Sequence, residues 1–224
     1  MLSWNLFHGR ARPAAHRSLL REFADALAGW EWDVALLQEV PPWWPPVLAR
    51  ATRAEQHSVL TSRNLGSRAR RAIASRDPDV AKSSGGGANT ILVRRGGASD
   101  HRRARLAWRP ERRLAHGVRL ETGWVVNLHA SVRPRQRIAG DVERARAAAL
   151  AWAGAEPVIL GGDFNSRRPA LPFFDHAAGH WVDHVFVRGW IAAGTDVLDA
   201  GPLSDHRPLL VALSPAPHRL ALAR

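Results

Sequence analysis

What the sequence lacks sets the first limits on this chain. Its 224 residues include no cysteine, which excludes disulfides and thiolate metal sites and leaves Asp, Glu, Asn and His to hold any metal. No stretch approaches the roughly 18 consecutive apolar residues that a membrane span requires. The N-terminus has no basic region followed by an apolar block, so no secretory signal is visible. We therefore expect a cytoplasmic protein with no transmembrane segment, and we expect it to be a monomer.

Lysine is nearly absent as well, so the positive charge comes from arginine. Lys82 is the only lysine, yet the formal net charge is +12. This charge indicates a polyanionic partner, which would be nucleic acid, an anionic membrane surface or a phosphorylated small molecule. Coding with a strong GC bias would also produce a chain rich in Ala and Arg, so composition alone leaves both explanations open.

Apolar residues make up 46% of the chain, which is enough to pack a core. The sequence shows no internal repeat and no linker long enough to separate two domains. We predict one domain over residues 1–224, with a frayed tail after Ser214.

We expect the chain to be organised around a stretch in which an apolar strand leads to two polar side chains. Residues 157–160 predict a strand buried on both faces, and the glycine pair that follows predicts a turn. Asp163 and Asn165 alternate with Phe164, so the two polar groups should point the same way while the ring enters the core. Strand ends of this kind commonly carry chemistry, because the sheet is rigid and the loop is free.

The rest of the chain alternates between strand and helix patterns. Residues 1–6, 14–28 and 33–37 predict a strand, a helix and a second strand, arranged as a βαβ unit with a right-handed crossover, and a short helix should then end near Thr52. The mixture predicts an α/β protein with mixed sheets. The remaining predicted elements are a surface helix with a loop over 63–79, a glycine-rich joint over 83–87, a helix over 138–153 and strands over 89–93, 103–108, 114–121, 124–130, 181–187 and 208–213.

Short polar motifs lie at the ends of the predicted apolar segments. They are Ser3-Trp4-Asn5, Leu37-Gln38-Glu39, Asn127-Leu128-His129, Gly161-Gly162-Asp163-Phe164-Asn165, Val182-Asp183-His184-Val185 and Ser204-Asp205-His206-Arg207-Pro208. In this order the chain resembles the endonuclease/exonuclease/phosphatase family, which includes deoxyribonuclease I and the exonuclease III-type abasic-site endonucleases. The resemblance implies a four-layer α/β/β/α sandwich, in which two mixed β-sheets are flanked by helices, with the site at one end of the sheets.

Hydrolysis of a phosphate ester needs an in-line water, a group that orients or deprotonates it, and positive charge against the phosphoryl oxygens. Glu39 and Asp205 are oxygen ligands suited to a hard divalent ion, and we predict that they bind Mg²⁺ or Mn²⁺. Asn5 would help to orient that ion or the phosphate without adding charge.

The other polar side chains have predicted roles in the reaction. Asp163 would orient and deprotonate the attacking water, and Asn165 would fix the phosphate. His206 would contact the phosphoryl oxygens while Asp183 stabilises its charged form. His129 would hydrogen-bond the phosphate or protonate the leaving oxygen. An abasic-site endonuclease would be expected to carry Tyr at that position, so the pattern is closer to the deoxyribonuclease I and phosphatase branches.

Arginines in loops beside these motifs are the predicted substrate contacts. The residues predicted to bind substrate are Asn127, Arg133, Arg135, Arg167 and Arg168, and further candidates for the rim are Arg10, Arg68, Arg70, Arg71 and Arg137. Trp43, Trp44 or Trp181 would either stack on bases or pack in the core. The histidines without a partner at ligand spacing, predicted to be surface or core residues, are His8, His16, His57, His101, His116 and His176.

These motifs predict a metal-dependent phosphoric ester hydrolase. The first hypothesis is a nuclease that hydrolyses phosphodiester bonds of DNA or RNA by in-line attack of water. A phosphatase or phosphodiesterase for a small-molecule or lipid phosphate ester would use the same residues and is the alternative. A nucleic-acid-binding module without catalysis is the third hypothesis, and the joint presence of Glu39, Asp163, Asp205 and His206 argues against it.

Overall fold

The strands form two mixed sheets of six strands each, in a computed structural model that describes residues 1–61, 67–81 and 86–216. From edge to edge, the first sheet contains β11 (Trp190–Val197), β12 (Leu209–Pro215), β1 (Leu2–Asn5), β2 (Val34–Val40), β4 (Gly87–Val93) and β3 (Glu55–Thr61). The second sheet contains β5 (Asp100–Ala107), β6 (Arg113–Leu120), β7 (Gly123–His129), β8 (Val158–Asp163), β10 (Asp183–Arg188) and β9 (Asp175–His180).

The helices of the described residues are α1 (Leu20–Gly29), α2 (Pro45–Thr52), α3 (Ser67–Arg76), α4 (Pro78–Ala81) and α5 (Arg135–Ala153). Of these, α1 and α2 cover the outer face of the first sheet, and α5 covers that of the second. None of the helices in the described part is long and apolar enough to cross a membrane. The predicted loop at 63–66, the joint at 83–85 and the tail from residue 217 lie outside the described residues, as do the side chains of Arg68 and Arg70.

Strand alternation sorts the apolar residues into three core layers. Leu36 packs between the two sheets with Val125, whereas Leu37 packs beneath α1 and α2 with Trp4. Val126, next to Val125 in the chain, packs instead against α5. Each fully buried side chain of this size contributes about 1.5–3 kcal/mol through removal from water. Three apolar layers between four structural layers give the predicted α/β/β/α sandwich, and the fold prediction is confirmed.

The predicted βαβ unit is present, because β1 and β2 pair in parallel around α1. The helix is shorter than predicted, since α1 begins at Leu20 and residues 14–19 are not helical. His16 has a φ of 51°, in the left-handed region, which a right-handed helix does not allow. Its backbone N–H donates a hydrogen bond to Asp79 at 3.0 Å, so this segment is fixed as a loop.

Three strands were not predicted, and all three lie at sheet edges: β3, β9 and β11. An edge strand pairs on one side only and buries fewer side chains, so its alternation of apolar and polar residues is weak. In β11, for example, six consecutive residues, 191–196, are exposed. The strands with a neighbour on each side carry the stronger patterns and were found from sequence.

The central strand β8 runs further than predicted. It continues through the glycine pair to Asp163, because its ladder to β10 extends to the Asp163–Asp183 pair. A Cβ on Gly161 would lie 2.8 Å from Leu36 Cδ1, and one on Gly162, where φ is +133°, would lie 2.1 Å from Leu128 O. The glycines therefore allow close approach of neighbouring chains, and Asp163 is held within the sheet instead of on a turn.

Candidate active site

Several of the predicted site residues meet at one edge of the two sheets. β1 and β2 are parallel, as are β7 and β8, so their carboxyl ends lie at the same edge. These ends carry Asn5, Glu39, His129 and Asp163. β10 runs antiparallel to β8 and therefore begins at this edge, which places Asp183 directly opposite Asp163.

The side chains at the strand ends are close enough to act together. Asn5 Nδ2 donates a hydrogen bond to Asp163 Oδ2 at 3.0 Å. His129 Nε2 lies 3.4 Å from the same oxygen and 3.8 Å from Glu39 Oε1. Glu39 is aimed by an irregularity of β2, where the pairing with β4 shifts register and Glu39 takes a φ of 51°.

His206 enters the site from the loop before β12. Its Nδ1–H donates to Asp183 Oδ2 at 2.7 Å, while Nε2 lies 3.9 Å from Asp163 Oδ2 and 4.0 Å from Asp205 Oδ1. Since a carboxylate can only accept, this pair leaves Nε2–H of the charged ring facing the cleft. The arrangement is a row of carboxylate, imidazole and carboxylate.

Hydrogen bonds to the first strand hold this loop in place. Ser204 Oγ donates to Asn5 O at 2.6 Å and accepts from His206 N at 3.1 Å. Trp4 Nε1 donates to His206 O at 2.9 Å. The His206 ring is thus positioned by β1, the same strand that carries Asn5.

The surroundings of Asp163 give it the character of a base near neutral pH. Burial raises the pKa of Asp163 to about 7, and the Asp183 carboxylate adds to this, while His206, the Asn165 N–H and Asn5 act in the opposite direction. A carboxylate whose pKa lies near the working pH both exists in the deprotonated form and accepts a proton readily.

The two histidines of the site differ in charge. Burial alone would lower the pKa of His206, but the hydrogen bond to Asp183 and the charges of Asp183, Asp163 and Asp205 raise it to about 9. Burial lowers the pKa of His129 well below the ordinary histidine value, and Arg113 adds to this. His206 is thus an imidazolium at neutral pH, whereas His129 is neutral and can donate one hydrogen bond but carries no surplus proton.

Three features of the described residues bear on the binding of a divalent cation. The Glu39 carboxylate, 19% exposed, lines a cleft of about 370 Å³. Asp183 Oδ1 is buried and has no hydrogen-bond partner within the described part of the chain. Ligand atoms of Asp163, Asp183 and His206 also lie within 4.8 Å of one another. The carboxylate oxygens suit a divalent ion, whereas the charged His206 ring has no lone pair to offer one.

Asp205 is placed differently from its predicted partner Glu39. Its Oδ2 pairs with Arg12 Nη2 at 2.9 Å. Among the described residues, Glu39 and Asp205 do not share a cluster of three ligand atoms within 4.8 Å. A joint metal-binding role for these two carboxylates therefore stays a prediction.

Asn127 is a structural link between the sheets. It is fully buried, accepts from Gln38 Nε2 at 2.9 Å and donates to Leu37 O at 3.0 Å and Thr90 O at 3.1 Å. With its amide engaged on both ends, Asn127 has no open face for a substrate. We therefore correct its predicted substrate contact to a role in holding β7 against β2 and β4.

Asn165 lies beside Asp163 and anchors the loop that follows. Its N–H donates to Asp163 Oδ1 at 2.9 Å, and its Nδ2 donates to Ala130 O at 3.0 Å. Phe164 between them is fully buried, with its ring 5.3 Å from that of Phe186, as the alternation predicted.

The predicted arginine contacts surround the site on two sides. Arg133 lines the cleft that holds Glu39 and His129. A neighbouring cavity of about 540 Å³ is lined by Asn165 together with Arg135, Arg167 and Arg168.

The three tryptophans named as candidates for base stacking differ in exposure. Trp181 is 68% exposed, with the Arg167 guanidinium 4.7 Å from its ring centre. Trp44 is buried in the core, so the suggestion that it stacks on bases is corrected. Trp43 is partly buried and packs against the same core.

The six histidines without a partner at ligand spacing in the sequence each have a polar partner in the structure. His8 Nε2 lies 3.2 Å from Glu39 Oε2 and lines the same cleft. Arg113 was also missed, and it enters the cleft paired with Glu111 at 2.7 Å. The other pairs are His16 with Asp77, His57 with Glu55, His101 with His116, and His176 with His184. Neither His8 nor Arg113 lies in a motif or at ligand spacing, so no sequence signal marks them.

Two mixed sheets with a polar site at one edge define a class of α/β sandwich hydrolases. The model of the endonuclease/exonuclease/phosphatase family matches residues 2–206, so the chain belongs to that family. Its members are metal-dependent phosphoric ester hydrolases, and this chain is an enzyme of that class. No curated protein is similar enough in sequence to match.

Solved structures share the fold at low sequence identity. An endonuclease/exonuclease/phosphatase from Beutenbergia cavernae DSM 12333 has a TM-score of 0.72 and 16% identity over 96% of this chain and 70% of its own. One from Bacteroides vulgatus has a TM-score of 0.72 and 15% identity over 96% and 98%. A mannosyl-6-phosphatase from Bacteroides thetaiotaomicron VPI-5482 has a TM-score of 0.62 and 14% identity over 87% and 90%.

Proposed function

We propose that the protein is a divalent-metal-dependent nuclease that hydrolyses phosphodiester bonds of DNA or RNA by in-line attack of water. The observation that carries this proposal is the row Asp163–His206–Asp183, of which His206 and Asp183 line a cavity of about 690 Å³ together with Arg12 and Arg207. Such a row provides a base and a positive hydrogen-bond donor on adjacent atoms, which are the two groups that attack on a phosphate requires.

Asp163 acts as the base for the attacking water. Its carboxylate is fixed by Asn5 Nδ2 and by the Asn165 N–H, so it presents a constant face to the cleft. His206 acts as the donor, because its charged ring points Nε2–H past Asp163. Asp183 positions that ring and keeps it charged through the 2.7 Å hydrogen bond.

His129 and the cation complete the site. The neutral His129 ring donates a hydrogen bond to a phosphoryl oxygen, and Asn165 fixes the phosphate beside it. Glu39, with Asp205 and Asn5 as further oxygen donors, would hold Mg²⁺ or Mn²⁺. When bound, that ion supplies positive charge against the phosphoryl oxygens.

The substrate class follows from the charge around the cleft. Arg133 lines one cavity and Arg135, Arg167 and Arg168 line another, so a chain of phosphates that crosses the site would meet arginines in both cavities. The net charge of +12 adds attraction over longer distances. Binding through phosphates is released by salt, so the KM for nucleic acid should rise steeply with ionic strength.

A phosphatase acting on a small ester is the second candidate. The cleft of about 370 Å³ is large enough for one phosphorylated sugar, and the Glu111–Arg113 pair lies within it. One of the proteins that share the fold is named as a mannosyl-6-phosphatase. The same catalytic row would serve either substrate.

A substrate panel tests the proposal. Supercoiled plasmid, single-stranded DNA, RNA, bis-p-nitrophenyl phosphate, p-nitrophenyl phosphate and inositol phosphates are each incubated with Mg²⁺ or Mn²⁺. We expect the wild type to nick plasmid, and Asp163→Asn to lose at least about a hundredfold in turnover. Asp196→Asn, an exposed carboxylate on β11 outside the site, is the matched control and should keep wild-type turnover.

The panel separates the candidates. Turnover of monoesters alone would replace the nuclease with the phosphatase. Binding of DNA without hydrolysis of any ester, or equal turnover in Asp163→Asn and the wild type, would overturn both.

A further inference from the structure

The His8 ring faces two oxygen atoms that can only accept hydrogen bonds. Nδ1 lies 3.2 Å from Gly86 O, and Nε2 lies 3.2 Å from Glu39 Oε2. The carbonyl partner requires the hydrogen on Nδ1, so Nε2 is the ring atom that faces the Glu39 carboxylate. A nitrogen and a carboxylate oxygen at this distance are joined by a positive centre, which is either a proton or a metal ion that both atoms bind.

Residues on both sides of this contact have left-handed backbone conformations. Phe7, His8 and Glu39 have φ values of 49°, 55° and 51°, which non-glycine residues rarely adopt. Asn5 Oδ1 accepts the Phe7 N–H at 2.9 Å and so fixes the turn that carries His8. Left-handed residues persist where the surroundings determine them, and they concentrate at ligand sites.

We propose that His8 Nε2 and the Glu39 carboxylate together bind the divalent cation, so that the metal centre has a mixed nitrogen and oxygen ligand set. The inference rests on the proposed function, in which Glu39 is a cation ligand. The hydrogen bond from Nδ1–H to a backbone carbonyl orients the ring in the way that is usual for metal-binding histidines. Within the described part of the chain, the side chains of His8 and Glu39 are 10% and 19% exposed, so the pair is reached through the cleft.

A nitrogen ligand changes which ion the site prefers. Sites made of oxygen ligands suit Mg²⁺, whereas imidazole favours later first-row ions such as Co²⁺, Ni²⁺ and Zn²⁺. His129 Nε2, 3.8 Å from the other oxygen of Glu39, places a second imidazole beside the same carboxylate. We therefore expect this enzyme to bind Co²⁺ more tightly than Mg²⁺.

The chain contains a matched control for this contact. His16 has a φ of 51° and its Nδ1 lies 3.2 Å from Asp77 Oδ2, so its conformation and distance are nearly those of His8. It lies on the surface, with a side chain that is 70% exposed, outside the cleft. Asn tolerates the left-handed conformation and lacks the imidazole, so His8→Asn and His16→Asn are equivalent substitutions.

The test measures binding of Co²⁺ alone and Mg²⁺ alone to the chelator-treated protein, by calorimetry and by the visible absorption of Co²⁺. We expect wild type to bind Co²⁺ at least about tenfold more tightly than Mg²⁺. His8→Asn should lose at least about tenfold in Co²⁺ affinity, alter the Co²⁺ spectrum, and change Mg²⁺ affinity by less than about threefold. His16→Asn should match the wild type, and circular dichroism in chelator should show that both variants are folded.

Other outcomes overturn the inference in distinguishable ways. If His8→Asn binds Co²⁺ as the wild type does while Glu39→Gln loses both ions, His8 is not a ligand and the proposed function stands. If His16→Asn loses the Co²⁺ spectrum instead, the ion binds the surface group of His16, Asp77 and Asp79, whose ligand atoms lie within 4.8 Å of one another, and the inference fails. If Glu39→Gln binds both ions as tightly as the wild type, the metal role of Glu39 in the proposed function fails as well.

Discussion

Two groups of histidines in this protein differ in what faces them. His206 is surrounded by carboxylates, which raise its pKa to about 9. His101 and His116 face each other, with Nε2 of His101 3.1 Å from Nδ1 of His116, and the His57 ring centre lies 5.2 Å from that of His101. Burial lowers the pKa of His101, and it lowers that of His116 well below the ordinary value. Histidine is therefore charged at neutral pH in the first place and neutral in the second.

The difference shows how position decides the use of a residue. The charged His206 lies at the sheet edge where strand ends carry acids, and it can contact an anion. The packed rings of His57, His101 and His116 join β3 of the first sheet to β5 and β6 of the second, so they serve the packing of the two sheets. The following predictions test this contrast, beginning with the largest effect.

Removal of metal should abolish activity without unfolding the protein. Activity should need the cation, because Glu39 and the phosphate are both negatively charged. The fold should not need it, because the packed histidines hold the two sheets together without a metal. We expect EDTA to reduce turnover to background and Mg²⁺ or Mn²⁺ to restore it, with the circular dichroism spectrum unchanged throughout. Full turnover in chelator would remove the metal role of Glu39.

Loss of the charged histidine should be far more costly than loss of a neutral one. His206→Ala removes the donor to the phosphoryl oxygen and should lower kcat at least about a hundredfold. His101→Ala, the matched control, removes one of the three packed histidine rings and should change kcat less than about threefold. Equal losses of kcat in the two variants would mean that the charge on His206 has no special role in the reaction.

The pH dependence of turnover should report the two groups of the catalytic row. Asp163 must be deprotonated, so activity falls as pH decreases through about 7; His206 must be protonated, so activity falls as pH increases through about 9. In Asp183→Asn the hydrogen bond and charge that raise the His206 pKa are lost, and the alkaline limb should move to lower pH. An alkaline limb that stays in place in this variant would exclude His206 as its source.

The smallest effect is expected on stability in acid. His101 and His116 have folded-state pKa values below the ordinary 6.5, so the unfolded chain binds more protons below that pH. Their contribution to stability is therefore present above pH 6.5 and is lost as pH falls.

Protonation of His116 would also place a charge at a buried Nε2 that has no partner within the described residues. Between pH 7.5 and 5.5 the free energy of unfolding should fall less in His101→Gln than in the wild type, by about 1.4 kcal/mol or less per pH unit, and Tm should fall less as well. An equal or greater loss of Tm in His101→Gln would contradict this.

Much of this architecture could be predicted from sequence because the inner strands have strong apolar patterns. Glu39 and Asp163 lie at the ends of two such strands, β2 and β8, so each could be placed at a strand end from sequence. Their proximity depends on the packing of one sheet against the other, which only the family resemblance implied. The family match over residues 2–206 includes both of these strand ends.

The rest depends on contacts that sequence does not encode locally. His8 faces Glu39 because a left-handed turn at Phe7 and His8 meets an irregularity of β2. Arg12 pairs with Asp205 across 193 residues. The edge strand β11 is exposed along most of its length, so nothing in its pattern distinguishes it from a loop.

A titration of the His206 ring by NMR measures the charged state of the catalytic row most directly, with His206→Ala used to assign its signals. We predict that His206 titrates with a pKa of about 9 in the wild type, so that it stays an imidazolium through neutral pH. A pKa at or below the ordinary value of 6.5 would mean that the carboxylates do not hold the ring charged, and the account of this site would be wrong.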